Sequence, residues 1–363
     1  VLQINRVKTI LGLAGALAIS LATSEASAAQ VKRFFIGVGT MSAENWVDFV
    51  KGASQTIHSV DPNVQITVLQ SDFQGQKLLS DISSAFAGGC GDCIALVDTA
   101  SIAFTKAIVE KAQEAGAKIV TVYNRPEDNH PWDTASDAWV ANIAFDATQI
   151  GYMTGKSLCD ALGGKGKIAA LGGVPDNPPA KRRLEGLDKA LKECPGVELL
   201  DTRFANWAAT EAQSVTRGWI TRFGDDLNGV FGSNDAMGMG AIAALRENGL
   251  NGKVKVTGGD GTVAYWELIT KGDALSTVHD DNFNFGAYGA ALAYAAAVGD
   301  VKLDQLTHAQ RDFYLKQKLV DAKNVGGVLE GYRNVDLTKL SYQVLKQDFW
   351  AESAGQIGQG DMK

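Results

Sequence analysis

Short β-branched runs alternate with longer stretches of helical period along most of the chain, the pattern expected of βαβ units and parallel sheets. The first set of runs covers Phe34–Gly39, Val64–Gln70, Ile94–Asp98 and Lys118–Tyr123, with helices predicted at 44–59, 75–87 and 101–115. After the Pro/Asp/His-rich stretch Arg125–Asp137 the pattern restarts at Trp139–Phe145, Lys167–Leu171, Val197–Thr202, Gly229–Gly232 and Val254–Thr257. Helices are predicted between these runs at 147–162, 180–193, 208–223, 235–248 and 263–271, several with Gly or Asn near their ends as caps. Ala274–His279 reads as a further strand and Phe285–Val298 as an Ala-rich buried helix; beyond Gly299 the periodicity weakens. The expectation is an α/β protein of two doubly wound parallel-sheet lobes, with no tandem repeat.

Composition agrees with two lobes. The 363 residues are 45% hydrophobic and 21% charged, enough apolar material for large cores. The formal charge is −7, and the densest basic cluster is Lys181-Arg182-Arg183, so nucleic acid is not an expected partner. Residues 1–28 carry Arg6 and Lys8, an apolar stretch from Ile10 to Ala22, and then Ala26-Ser27-Ala28, the layout of a secretory signal peptide cut after Ala28. Export, to the periplasm, would place the four cysteines in an oxidising compartment. Of their three possible pairings, Cys90 with Cys93 and Cys159 with Cys194 is the expected one. A redox-active Cys90/Cys93 pair is the lesser alternative, and zinc lacks a second C-x-x-C or an H-x-x-x-H.

In parallel α/β sheets ligands collect at the carboxyl ends of the strands. Those positions are polar and aromatic here: Met41–Trp46, Asp98-Thr99, Asn124-Arg125, Asp176–Arg183, Asn206-Trp207, Ser233-Asn234-Asp235, Asp260-Gly261 and His279-Asp280-Asp281. Guanidinium forks with Asp and Asn suit adjacent hydroxyls, and indole faces cover the C–H side of a sugar ring. Arg125 and Arg183 against Asp260 and Asp280 balance, which favours a neutral polyhydroxyl ligand over an anion. Catalytic constellations are missing: there is no G-x-S-x-G, H-E-x-x-H or G-x-x-x-x-G-K-[ST], and Gly37-Val38-Gly39-Thr40-Met41-Ser42 lacks the last glycine of a dinucleotide fingerprint. Neither an enzyme nor a cofactor is expected.

Several separated motifs then carry a resemblance. They are Trp46-Val47-x-Phe49-x-Lys51-Gly52-Ala53, Asn124-Arg125, Arg183-x-x-Gly186, Phe231-x-Ser233-Asn234-Asp235-x-Met237-x-x-Gly240-Ala241 and Gly259-Asp260-Gly261. In this order, over residues 32 to 299, they resemble the ribose-type periplasmic sugar-binding proteins, the substrate-binding components of bacterial ABC sugar transporters. The resemblance implies two lobes joined by a three-crossing hinge and closing on a monosaccharide or polyol. It implies lobes of 29–145 plus about 281–330 and 146–280 plus about 331–363. It also implies an ABC transporter permease, with its cytoplasmic ATPase, as partner of a monomer. Matched by motif, the stacking aromatics fall on Trp46 and Trp207, the gripping arginines on Arg125 and Arg183, and polar contacts on Asn234 and Asp260. Asn124 and Asp280 stand where the ribose-type pattern has an Asp and an amide, and Asn45 where it has an aromatic, so ribose itself is not the expected ligand. Delivery of a sugar-like signal to a membrane sensor is the alternative use of such a module. A cytoplasmic sugar-responsive repressor, which shares this core, is excluded by the signal segment and the lack of a helix-turn-helix.

Overall fold

The computed structural model describes residues 30–347 and 349–350; the expected signal peptide and the last part of the tail lie outside them. The first lobe starts with β1 (Arg33–Val38), α1 (Glu44–His58), β2 (Gln65–Gln70), α2 (Gly75–Ala85), β3 (Cys93–Asp98), α3 (Ile102–Ala115), β4 (Lys118–Val122) and β5 (Trp139–Phe145). The chain then passes to α4 (Ala147–Ala161), β6 (Gly166–Gly172), α5 (Pro178–Lys192), β7 (Val197–Phe204), α6 (Ala209–Phe223), β8 (Gly229–Gly232), α7 (Asp235–Glu247), β9 (Lys255–Thr257), α8 (Val263–Lys271) and β10 (Ser276–Asp280). Last come α9 (Asn282–Val298), α10 (His308–Arg311), β11 (Asp312–Leu315), β12 (Gln317–Asp321), α11 (Val325–Arg333) and α12 (Tyr342–Leu345).

The two six-stranded sheets have equivalent orders, β11-β5-β4-β3-β1-β2 and β12-β10-β9-β8-β6-β7. Their edges differ: β11 runs parallel to β5, whereas β12 runs antiparallel to β10. The chain therefore crosses between sheets after β5, after β10, and between β11 and β12. Such an order puts the carboxyl ends of the strands of both lobes along one cleft.

Glycines set how closely the helices that carry the cleft side chains lie against their neighbours. A Cβ at Gly52 of α1 would overlap the carbonyl oxygen of Phe283, and one at Gly286 of α9 would overlap that of Phe49. Gly151 of α4 and Gly186 of α5 repeat the device against Arg183 and Thr148. Backbone thus touches backbone in each lobe, fixing α1 and α5 at a distance that a side chain could not allow.

The tail departs from the division anticipated above. Residues 317–321 pair in the second sheet, while 334–347 return to the first lobe, where Tyr342 is buried in the core with Phe285, Tyr288 and Phe313. Its hydroxyl donates to Asp300 (2.6 Å), and Thr56 Oγ1 donates to the Leu340 carbonyl (2.7 Å). The cysteines depart as well. Cys90 and Cys93 are bonded, but Cys159 and Cys194 are buried thiols. They lie in hydrogen-bond contact with each other, and burial, reinforced by Cys194, pushes the Cys159 thiol up to about 12.

Candidate functional site

The facing strand ends enclose a cavity of about 640 Å³. The first lobe contributes Glu44, Asn45 and Trp46 from the start of α1, Asp72 and Phe73 from the turn after β2, Asp98 from the end of β3, and Tyr123 and Asn124 after β4. The second contributes Asn177, Arg183, Asn206, Trp207, Asn234, Asp260 and Thr262. Among the described lining residues Arg183 is the one cation, against the carboxylates of Glu44, Asp72, Asp98 and Asp260.

Arg183 is 5% exposed, and its guanidinium donates to the Ser233 carbonyl (2.5 Å) and pairs with Asp260 Oδ1 (3.1 Å). It lies over the indole of Trp207, 5.6 Å from the ring centroid, so charge and aromatic face form one wall. Its Nε has no partner. Opposite, Trp46 meets Phe49 and Tyr123 edge-to-face at 5.5 and 5.9 Å, locking its indole in the first lobe's core while it lines the cavity.

A hydrogen-bonded chain spans the cleft. Trp207 Nε1 donates to Asn177 Oδ1 (3.1 Å), Asn177 Nδ2 donates to Asn124 Oδ1 (2.8 Å) and the Ala100 carbonyl (3.1 Å), and Asn124 Nδ2 donates to Asp98. Local sequence explains why Asn177 can reach across. It occupies the cap position of α5, but Pro178 and Pro179 follow it and supply no N–H groups, so the side chain makes no capping bond. A second cross-lobe contact comes from Glu44, whose carboxylate accepts from the Val263 (2.9 Å) and Ala264 (3.4 Å) amides at the start of α8. Those orphan N–H groups and the positive end of the helix suit an acid, here one supplied by the other lobe.

Asp235 organises the second lobe's wall. It is fully buried and accepts from the amides of Gly259 (2.9 Å), Asp260 (3.2 Å) and Thr262 (2.7 Å) and from the hydroxyls of Thr262 and Thr277. Burial, with the nearby Asp260 charge, nonetheless raises its carboxyl to about 6. Asn234 caps α7 by accepting from the Met237 amide (2.8 Å), which leaves its NH₂ to face a ligand. On the first lobe's side Asp98 is 2% exposed, and burial raises it to about 6 against the hydrogen bonds from Ala100 and Asn124.

Seven of the nine residues singled out from sequence line the cavity: Asn45, Trp46, Asn124, Arg183, Trp207, Asn234 and Asp260. Arg125 does not. Its side chain turns away, pairing with Asp312 of β11 (Nε to Oδ2, 2.8 Å) and donating to the carbonyls of Pro126 and Glu127. The backbone turns tightly here, with the Asn124 and Arg125 amides donating to the carbonyls two residues back, and of the two side chains Asn124 is the one that lines the cavity. Asp280 is not a lining residue either. It lies buried behind Arg183, with Oδ1 unpartnered, and burial pushes its carboxyl well above the usual range. Phe73 and Tyr123 were missed because Tyr123 was counted as the last residue of a strand that ends at Val122, and Phe73 lies three residues beyond Gln70, past the positions that directly follow β2. Their signal was position alone.

Residues 40–300 match the family described as the periplasmic binding protein domain, and the chain belongs to that family. A xylitol-binding protein of Mycolicibacterium smegmatis is 34% identical over 164 residues, 45% of this chain and 47% of that protein, so the chain aligns with about half of it. A putative rhizopine-binding protein of Rhizobium meliloti is 28% identical over 324 residues, 88% of this chain and 97% of that protein. The crystal structure of a twin-arginine translocation pathway signal protein from Burkholderia phytofirmans superposes with a TM-score of 0.81 at 32% identity, covering 85% of this chain and 94% of that one.

Proposed function

We propose that the protein captures a monosaccharide or polyol between its lobes in the periplasm and delivers it to the permease of an ABC-type importer. The observation that carries this reading is a cavity whose wall comes from both lobes, with two indoles and a set of Asn, Asp and Arg groups converging on it. Indole faces match the C–H surface of a ring, and the polar groups match its hydroxyls. Membership of the periplasmic binding protein family and the likeness to a xylitol-binding protein support the same class. No bond is made or broken. Contacts from both lobes exist together only in the closed arrangement, so a ligand lowers its free energy relative to the open one, and closure marks the loaded state.

Calorimetric titration against a panel of pentoses, hexoses and polyols tests this. At least one should bind, and Trp207→Ala should weaken it by about 10- to 100-fold. Arg125→Ala should leave the same affinity within about threefold, because its side chain makes no wall of the cavity. A panel without any binder would overturn the reading.

A further inference from the structure

The cavity is short of positive charge, and the shortage is concentrated at one residue. Arg183 is already engaged by Asp260 and the Ser233 carbonyl. Glu44 is held by two amides of α8, and Asp72 stands at the rim with its side chain 47% exposed, 4.0 Å from Lys77 Nζ. Asp98 differs from all of these. It is buried, and its donors are the neutral Ala100 amide (3.1 Å) and the Asn124 amide, both on Oδ1. Among the described residues no Lys, Arg or His pairs with it. A buried carboxylate without a cation is unfavourable, and that burial is what raises Asp98 to about 6. The balance anticipated from sequence counted Arg125 and Asp280, neither of which lines the cavity, and left out Glu44, Asp72 and Asp98, which do.

One unmet demand therefore borders the cavity: Asp98 lines it and takes both of its hydrogen bonds on Oδ1, from neutral donors. The unpartnered Nε of Arg183 is buried and makes no part of this demand. A neutral sugar brings hydroxyl donors to Asp98 but no charge. A protonated amine on a polyhydroxyl frame brings three donors and a full charge, while its hydroxyls meet the polar groups of the rest of the wall.

We propose that the cavity is built for an amine-bearing polyhydroxyl ligand, an amino sugar or amino-polyol whose ammonium pairs with Asp98 while its hydroxyls bond Arg183, Asn124 and Asp260. The inference rests on the sugar-or-polyol reading above and narrows its ligand class. Specificity in this arrangement comes from the first lobe, because the second lobe's cation is already neutralised.

The test is calorimetry at pH 7.5 on matched probes: D-glucose, D-glucosamine and N-acetyl-D-glucosamine; the corresponding galactose set; and scyllo-inositol with scyllo-inosamine. The expected result is that, in at least one set, the amine binds roughly tenfold or more tighter than its hydroxyl twin. The N-acetyl form, which keeps the nitrogen but loses the charge, should lose that advantage. In Asp98→Asn, checked for folding by its melting curve, amine and hydroxyl twins should come within about threefold; the N-acetyl comparison on the wild-type protein stands if this variant does not fold. Neutral twins binding as tightly as the amines in every set that binds would overturn the inference and leave the sugar-or-polyol reading intact. Absence of binding by every amine and every neutral probe, here and in the wider panel above, would overturn both.

Discussion

The two lobes share a strand order but hold their halves of the cavity by different means. In the first lobe the corners after the strands run through left-handed backbone at residues other than glycine: Asp72 (φ 53°), Phe73 (58°), Ala100 (61°) and Tyr123 (62°). In the second only Asn206 (49°) and Trp207 (62°) do so, and the rest of the wall hangs on the donors gathered by Asp235. One wall is shaped by local strain that the surrounding packing must sustain, the other by a single buried carboxylate. The first should therefore tolerate loss of any one side chain and the second should not.

Removing Asp235 gives the largest expected effect. Asp235→Ala strips five buried donors of their acceptor and should lower the unfolding free energy by roughly 3–5 kcal/mol in urea titrations. A loss below about 1 kcal/mol would mean that the wall does not depend on it. Next comes acid. Asp98 and Asp235 both ionise near 6 when folded, above the usual value near 4, so between these limits the folded protein holds more protons and its stability falls as pH rises. Asp280, held well above the usual carboxylate range by burial, adds to this trend, and His279, whose ring burial pushes down, opposes it. Unfolding should be harder at pH 5 than at pH 7, and Asp235→Asn should remove part of that difference. Below pH 4 the sign reverses, because Asp92, Asp201 and Asp273 are depressed by hydrogen bonds and ion pairs and lose that stabilisation when protonated.

Smaller effects separate closure from stability. Glu44→Ala removes the acid that one lobe lends to the other's helix, so ligand affinity should fall by about three- to tenfold while the melting temperature without ligand hardly moves. An unchanged dissociation rate in stopped-flow measurements would show that this contact does not hold the cleft shut. Asp72→Gly relieves one left-handed corner at an exposed position and should add about 0.5 kcal/mol in the same urea assay.

Much of this architecture is legible in the amino acids, and the exceptions have physical causes. The β4 expectation ends one residue late, and α1 was placed correctly at its start because apolar periodicity follows Glu44 at once. The start of α9 was set three residues late: an Ala-rich helix has no polar face to mark its register, and its real signal is Asp281 accepting from the Asn284 amide (3.1 Å). The tail was opaque because β11 and β12 are four and five residues long and gain their meaning from partners far back in the chain. Arg125 was misplaced for a related reason. A motif shows that two polar residues follow a strand, but which of them faces the ligand depends on Asp312, which only the fold brings near.

The returning tail has a consequence for the order in which the molecule can be finished. The second sheet's strands β6 to β10 come from one continuous stretch, whereas the first lobe's core waits for α9, β11 and Tyr342. During synthesis β1 to β5 therefore stand with one apolar face bare while β6 to β10 of the second lobe are being added, on the order of ten seconds at ordinary elongation rates. The lobe begun first is completed last. Under the periplasmic reading proposed above that delay is protective, because the chain cannot seal its first core before Tyr342 has been made.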